Sequence, residues 1–285
     1  MKLQGKTAFV TGASSGIGRA LAVRLAKAGC HLRLTAIEAD LLELLAIQLN
    51  DQYGVDVVSH AGDLSHPKDR DQLVSWIRKR PETTDILINN AGIGGTFGRF
   101  PDVSLETIDA TIAVNVAAFV HLTHDLLPQL LSRPRAKIVN VSSGIARLPY
   151  PGLAVYGATK AFVSGFSQSL ACELAGSSVD VLCFHPGFTD TAFVKTSRMD
   201  LAKIPRRMIH DPEWMATRIV RAIERDSQWS YSDLMTHSMA SIGAVLPARL
   251  KTWLFKSLFW TLPAPKDHCG HHPESTGVSD HGSSN

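Results

Sequence analysis

KTAFVTGASSGIG, residues 6–18, decides how the rest of the chain is read. Its first six residues form a strand-length apolar run. A glycine-spaced turn follows and opens a helix-length amphipathic segment over 16–28. Each glycine has its own physical reason. Gly12 permits a tight turn, Gly16 lets backbone come close to a phosphate, and Gly18 lets the helix pack tightly on the strand. The helix start adds free N–H groups and the positive end of a dipole, so Ser14, Ser15, Ile17 and the three glycines form a candidate dinucleotide cradle.

Outward from this unit the same alternation repeats. HLRLTA (31–36), VDVVSH (55–60), DILINN (85–90), AKIVNVS (136–142) and VDVLCFH (179–185) are strand-length. Helical segments lie between them at 39–52, 67–78, 104–131 and 154–175. Parallel neighbours need crossovers of this length, so the pattern predicts an α/β, doubly wound, Rossmann-like parallel sheet with helices on both faces. No linker divides the body. One domain is expected over 1–262, including a substrate cover at 188–212 and a helical C-terminal extension at 234–262. Residues 263–285, rich in Pro, Gly, Ser and His, read as a disordered tail.

Composition narrows the function classes. The chain has 285 residues, 45% hydrophobic and 19% charged, with a net charge of +3. That excludes an intrinsically disordered chain and is too diffuse to argue for a nucleic-acid partner. Its four cysteines, Cys30, Cys172, Cys183 and Cys269, form no CxxC pair. With no apolar leader visible at the start, a reduced, cytoplasmic protein is expected. No metal site is expected: His268, Cys269, His271 and His272 sit in the tail without the well-held ligand set that zinc requires.

TGASSGIG, Asp63, the Asn89-Asn90-Ala91-Gly92 run, Asn115, Ser143 and the Tyr156-Gly-Ala-Thr-Lys160 run occur in an order and spacing that resembles the short-chain dehydrogenase/reductase family over about residues 5–192. The resemblance implies a sheet of about seven strands and bound NAD(H) or NADP(H). It also implies that Asp63, beside Leu64, holds the adenine amino group, and that Asn89, Ala91 and Gly92 stabilise the central strand beside the cofactor. Pro186, Gly187, Thr189 and Thr191 would embrace the nicotinamide. A plainer role for Asp63, as a turn residue ahead of the helix at Pro67, stays open. So does NAD against NADP. Ala36 and Ile37 carry neither the acid nor the arginine of the usual signatures, and Glu38 would repel a 2′-phosphate or simply start a helix.

Tyr156 and Lys160 stand four apart in a helical stretch and share a face. A neighbouring ammonium, together with the positive nicotinamide ring of the oxidised complex, favours phenolate and is expected to lower the phenol pKa into a usable acid–base range. Ser143, at the end of a strand, can donate to a substrate oxygen, whereas alternation turns Ser142 to the other face. Asn115 is a polar amide amid Val114 and Val116; by resemblance it supports a proton relay to Lys160. The candidate catalytic set is therefore Asn115, Ser143, Tyr156 and Lys160. Ser143 and Tyr156 contact substrate, while Tyr156 and Lys160 also contact cofactor. The expected activity is hydride transfer between nicotinamide and a carbonyl or secondary alcohol. The alternative is a dinucleotide-binding regulatory or scaffold protein that has lost catalysis.

The cover mixes Phe193, Val194, Met199, Leu201, Ile204, Met208 and Ile209 with Lys195, Arg198, Lys203, Arg206 and Arg207. Apolar walls with a cationic rim suit a lipophilic substrate bearing an anionic head, or the basic face is merely solvated. In 242–262, Leu250, Trp253, Leu254, Leu258 and Phe259 recur at helical spacing among Arg249, Lys251 and Lys256. That helix can pack on the body, join subunits, or lie on a membrane surface through 247–260. The resemblance implies a homo-oligomer.

Overall fold

Alternation along strand β1 (Thr7–Thr11) sorts the core into two layers. Ala8 and Val10 face one cluster and Phe9 the other. The computed structural model describes residues 1–80, 83–191, 193, 197 and 204–259. The expected tail at 263–285 lies outside the described residues, as do Val194, Lys195, Arg198, Met199, Leu201 and Lys203 of the cover.

Seven parallel strands form the sheet, in the order β3 (Val57–Ala61), β2 (His31–Ala36), β1, β4 (Ile86–Asn89), β5 (Ala136–Val141), β6 (Val179–His185), β9 (Trp229–Tyr231). Helices cover both faces, which is why the central strands read as continuous apolar runs rather than alternating ones. On one face, α1 (Gly16–Lys27), α2 (Ala39–Tyr53) and α7 (Pro212–Glu224) bury Leu21, Leu25, Leu45 and Ile219. On the other, α3 (Pro67–Arg78), α5 (Phe119–Leu131) and α6 (Ala154–Glu173) bury Leu73, Leu122, Leu126 and Leu170. β1 pairs with β2 on one side and β4 on the other, so the winding reverses there and opens a crevice at the strands' carboxyl ends. A short ladder of β7 (Phe188–Thr189) with β8 (Ile209–His210) pairs the two ends of the cover with each other.

The segment expected as one helix over 104–131 is helical throughout, but not uniformly. Between α4 (Leu105–Ile112) and α5 it widens into a π-turn segment, Ala113–Ala118, that contains Asn115. Such widened turns occur where a side chain must be re-aimed. By length and composition 105–131 could cross a membrane, yet Phe119, Leu122, Leu126 and Leu130 are spent on the core.

His185 ends β6, buried between the rings of Trp229 and Tyr231 at centroid distances of 4.4 and 4.7 Å. Its Nδ1–H donates to the Ser230 carbonyl at 3.2 Å. Burial pushes its pKa down from 6.5 to about 4, so the fold holds it neutral. The native state therefore binds fewer protons than the unfolded chain between these values, and stability is lost as pH falls from about 6.5 toward 4. Denaturant melts across that window should show wild type losing on the order of 2–3 kcal/mol more than His185→Gln. Parallel pH slopes would contradict this.

Candidate active site

The crevice is a cleft of about 620 Å³ that runs from the glycine loop to the end of β5. Thr11, buried at the end of β1, supports the glycine-loop end of this cleft. Its Oγ1 accepts from the Asn90 and Ala91 N–H groups at 3.0 and 2.9 Å and donates to the Ile88 carbonyl at 3.3 Å, locking β1 to β4 at the switch point. Asn90 Nδ2 donates back to the carbonyls of Thr11 and Gly12 at 2.9 and 3.3 Å, pinning the loop.

The glycines leave the room a dinucleotide needs. Gly12 and Gly16 have φ of +66° and +52°, and side chains there would come within 3.0 Å of Ala91 Cα and 3.1 Å of Thr191 Cγ2. A methyl on Gly18 would collide with the Gly12 carbonyl oxygen. Ser14, Ser15, Ile17, Gly62, Asp63, Leu64, Ala91, Gly92, Pro186, Gly187, Thr189 and Thr191 join these glycines on the lining. Open glycine backbone at one end and Tyr156 with Lys160 at the other fit a nicotinamide dinucleotide, which these residues would hold.

Asn89 does not reach the cleft. It is buried, and its Nδ2 donates to Thr123 Oγ1 and Asn140 Oδ1 at 3.0 and 2.9 Å. A β-strand alternates its side chains, so Asn89 points into the core and Asn90 takes the place beside the loop. For Asp63 the turn role is present, and its place on the cleft is compatible with the other. It lines the cleft and also closes a turn, accepting from the Ser65 N–H at 2.8 Å. Burial works against its charge, but hydrogen bonds from Ser65 and the nearby His66 hold its carboxyl below the usual range.

At the other end α6 presents Tyr156 and Lys160 to the cleft together, with the ammonium 5.8 Å from the phenol ring centroid. Lys160 is buried and donates from Nζ to the Val141 carbonyl at 2.9 Å. Burial pushes its pKa down to about 8. Burial also pushes the Tyr156 phenol up to about 12, against the lowering hydrogen bond to Ser143. In the chain by itself, burial of the phenol therefore outweighs the hydrogen bond from Ser143, whereas the lowering expected from Lys160 belongs to the complex in which a positive nicotinamide ring lies beside the phenol.

Ser143 caps the turn Gly144–Arg147 and lines the cleft. Ser142 turns its hydroxyl away, onto the Lys160 carbonyl at 2.9 Å and Ser164 Oγ at 2.8 Å. Asn115 does not line the cleft. Its Oδ1 accepts from the Ile93 N–H and its Nδ2 donates to the Ile93 carbonyl, both at 2.9 Å, and to Thr159 Oγ1 at 3.0 Å. It thereby clamps the loop after β4 to the helix that carries Tyr156 and Lys160. A side chain on Gly92 would come within 3.2 Å of both Asn115 Oδ1 and Lys160 Nζ, so glycine there is what lets the loop sit this close.

Apolar groups form the remaining walls. Leu148, Tyr150, Leu153, Phe188, Phe193 and Met208 line the cleft, and Phe193 lies 5.1 Å from the Tyr156 ring. Among the described residues of the cover, Arg207 is the cation on the lining; Arg206 and Arg207 are both exposed and Ile204 is buried. Sequence reasoning missed the wall made by helix α8 (Leu234–Val245), which contributes Leu234, Met235, Thr236 and Met239. Its anchor is Asp233, which accepts from the Thr236 N–H at 2.8 Å and from Ser232 Oγ at 2.6 Å and meets His210 Nε2 at 3.4 Å. Ser232 in turn accepts from the Gly187 N–H at 2.9 Å. The Asp233-x-x-Thr236 spacing before an apolar run was the available signal.

Comparison with known proteins agrees with this geometry. The family model described as short chain dehydrogenase matches residues 6–202. The human protein named dehydrogenase/reductase SDR family member 4 is 30% identical over 255 residues, 87% of this chain and 90% of that one. Glycine betaine reductase of Emericella nidulans is 33% identical over 239 residues, 82% of this chain, which spans only 19% of that longer protein. A short-chain dehydrogenase from Sphingobium yanoikuyae in complex with NADPH superposes with a TM-score of 0.76 at 29% identity, covering 85% of this chain and 97% of that one. The 3-ketoacyl-(acyl-carrier-protein) reductase from Brucella melitensis, complexed with NADH, gives 0.73 at 29% identity, with 80% and 96% covered. The chain therefore belongs to the short-chain dehydrogenase/reductase family and is an NAD(P)-dependent oxidoreductase.

Proposed function

We propose that this oxidoreductase acts on the carbonyl or secondary alcohol of an apolar molecule of lipid, acyl or steroid-like character, with Tyr156 as its proton donor and acceptor. One observation carries the reading: a polar corner of Ser143, Tyr156 and Lys160 faces walls of leucine, aromatic and methionine side chains in a single cleft. A small, strongly hydrated substrate would leave most of that wall in contact with water.

The bound nicotinamide supplies or takes up the hydride. Everything else falls to the chain. The Tyr156 phenol is protonated at neutral pH and holds the proton that a reduced carbonyl oxygen must receive. Ser143 Oγ donates to the same oxygen as charge develops on it. Lys160, one helical turn from the phenol, offsets the phenolate left behind. Asn115 is a positioning residue. It holds Ile93 and Thr159, and through them the spacing between the β4 loop and α6.

Glu38 favours NAD(H) over NADP(H). It stands just after β2 at the start of α2, lines the cleft, and accepts a hydrogen bond from Ser14 Oγ at 2.7 Å. The carboxylate is thus held beside the glycine loop, where it attracts a ribose hydroxyl and repels a 2′-phosphate. The described lining cations, Lys160 and Arg207, come from α6 and the cover rather than from β2. A panel of long-chain, polycyclic and small polar ketones, assayed with NADH and NADPH, tests both parts. The bulky apolar ketones should give the highest kcat/KM. NADH should exceed NADPH by about tenfold or more, and Glu38→Ala should erase most of that gap. Cofactor binding without turnover across the panel would overturn the catalytic reading in favour of a regulatory role.

A further inference from the structure

Helix α8 has a second face. Ala240 and Gly243 turn inward, and Gly243 packs so closely that a side chain there would collide with Leu148. On the opposite side, Met235, Ile242 and Val245 follow one another at helical spacing, exposed by 39%, 52% and 83%. Met235 also lines the cleft, so this stripe begins at the mouth of the substrate site. Past Pro247, on α9 (Ala248–Phe259), Leu250 and Trp253 are likewise 47% and 66% exposed, while Phe255 is buried.

Charge on this arm has a single sign. From Leu234 to Phe259 the sequence holds Arg249, Lys251 and Lys256 and no Asp or Glu. Arg249 is exposed and Lys251 partly so, next to Leu250. An apolar ridge with a tryptophan, flanked by cations and free of acids, matches an anionic phospholipid surface. The ridge enters the acyl boundary, the aromatic ring sits at headgroup depth, and the cations meet lipid phosphates. A second copy of the chain is the poorer occupant, because two such faces would bring like charges together.

We propose that the α8–α9 arm docks on anionic membrane surfaces through Ile242, Val245, Leu250 and Trp253, with Arg249 and Lys251 at the headgroups, so that the cleft mouth opens toward the lipid. The inference gives the apolar-substrate reading a source for its substrate, but its test needs no turnover, so the two can fail separately.

The experiment is flotation of the full chain with vesicles of pure phosphatidylcholine and of phosphatidylcholine containing phosphatidylserine. Binding should be about tenfold or more stronger on the anionic vesicles and should weaken as salt is raised. The paired change Leu250→Ser with Trp253→Ser, and separately Arg249→Gln with Lys251→Gln, should each lower binding by about tenfold while leaving NADH affinity and thermal melting near wild type. None of these four residues lines the cleft, and retained NADH binding shows that the body is folded. Equal binding to both vesicle types, no binding to either, or unchanged binding in both paired variants would overturn the proposal. Two further results would also overturn it. Flotation seen only after removal of 263–285 would assign the ridge to that segment, and a wild-type dimer abolished by the Leu250 and Trp253 changes would assign it to a second copy.

Discussion

Tyr156→Phe is expected to lower kcat/KM for carbonyl reduction by about 10³-fold, within the usual span for losing a positioned general acid, while NADH affinity changes by less than about threefold. Removing one oxygen takes away the only group on α6 that can deliver a proton into the cleft from beside Ser143. Lys160 sits one helical turn further along, with one of its three ammonium protons on the Val141 carbonyl at 2.9 Å. The ring itself packs against Phe193, a contact that phenylalanine keeps, so the effect falls on the chemical step rather than on the fold. Ser143→Ala should cost less, about 10²-fold, because it removes one donor to the developing charge and leaves the proton source intact. Steady-state kinetics with cofactor titration separates the two. A Tyr156→Phe variant with near-normal kcat would refute the assignment.

Gly18→Ala should be the most damaging single methyl in the cofactor half. Its added carbon would strike the Gly12 carbonyl oxygen and approach Asn90 Nδ2 to 2.6 Å. Gly12 is backbone and Asn90 is held at both ends of its hydrogen bonds, so neither can yield without moving the loop. Overpacking of this kind costs about 1–3 kcal/mol in stability. The displaced loop should raise the Kd for NADH by about 10²-fold, since the phosphate cradle is backbone. Gly165→Ala is the control. It lies on α6 with nothing near its added carbon, and it should be neutral or stabilise by up to about 1 kcal/mol. Melting curves and fluorescence titration with NADH would show both. Equal behaviour of the two variants would contradict the packing argument.

The sequence made the central frame legible because its signals are local. A strand running through Gly12, Gly16 and Gly18 into a helix needs only neighbouring residues to be recognised, and so does the four-residue spacing of Tyr156 and Lys160. What stayed hidden depends on contacts between distant segments. Asn89 and Asn90 are adjacent in an amide pair, and only the register of β4 against β5 shows that the first belongs to the core. His210 and Asp233 lie far apart in sequence and meet only because β7–β8 and α8 converge on the cleft mouth. The π-turn around Asn115 follows from fitting that amide to Ile93 and Thr159, partners the helical period does not reveal. Burial decides the direction of the Tyr156 pKa in the chain without cofactor. Spacing shows that an ammonium is near the phenol, but not that both are withdrawn from water.

That direction bears on how the site works. With the phenol up at about 12 and the lysine down at about 8, the chain alone favours the proton-donating form and disfavours a working base. Alcohol oxidation needs the opposite state, so positive charge beside the phenol must bring its pKa down, and Lys160 is the chain's contribution to that charge. The direct measurement is the pH dependence of kcat/KM for alcohol oxidation in wild type and in Lys160→Met. Wild-type activity should rise to a plateau through an apparent pKa well below 12, and in Lys160→Met the same limb should move upward by about 1–2 units with a lower plateau. A limb that stays in place when the lysine is removed would contradict the assignment of Lys160 as the charge that makes Tyr156 a base.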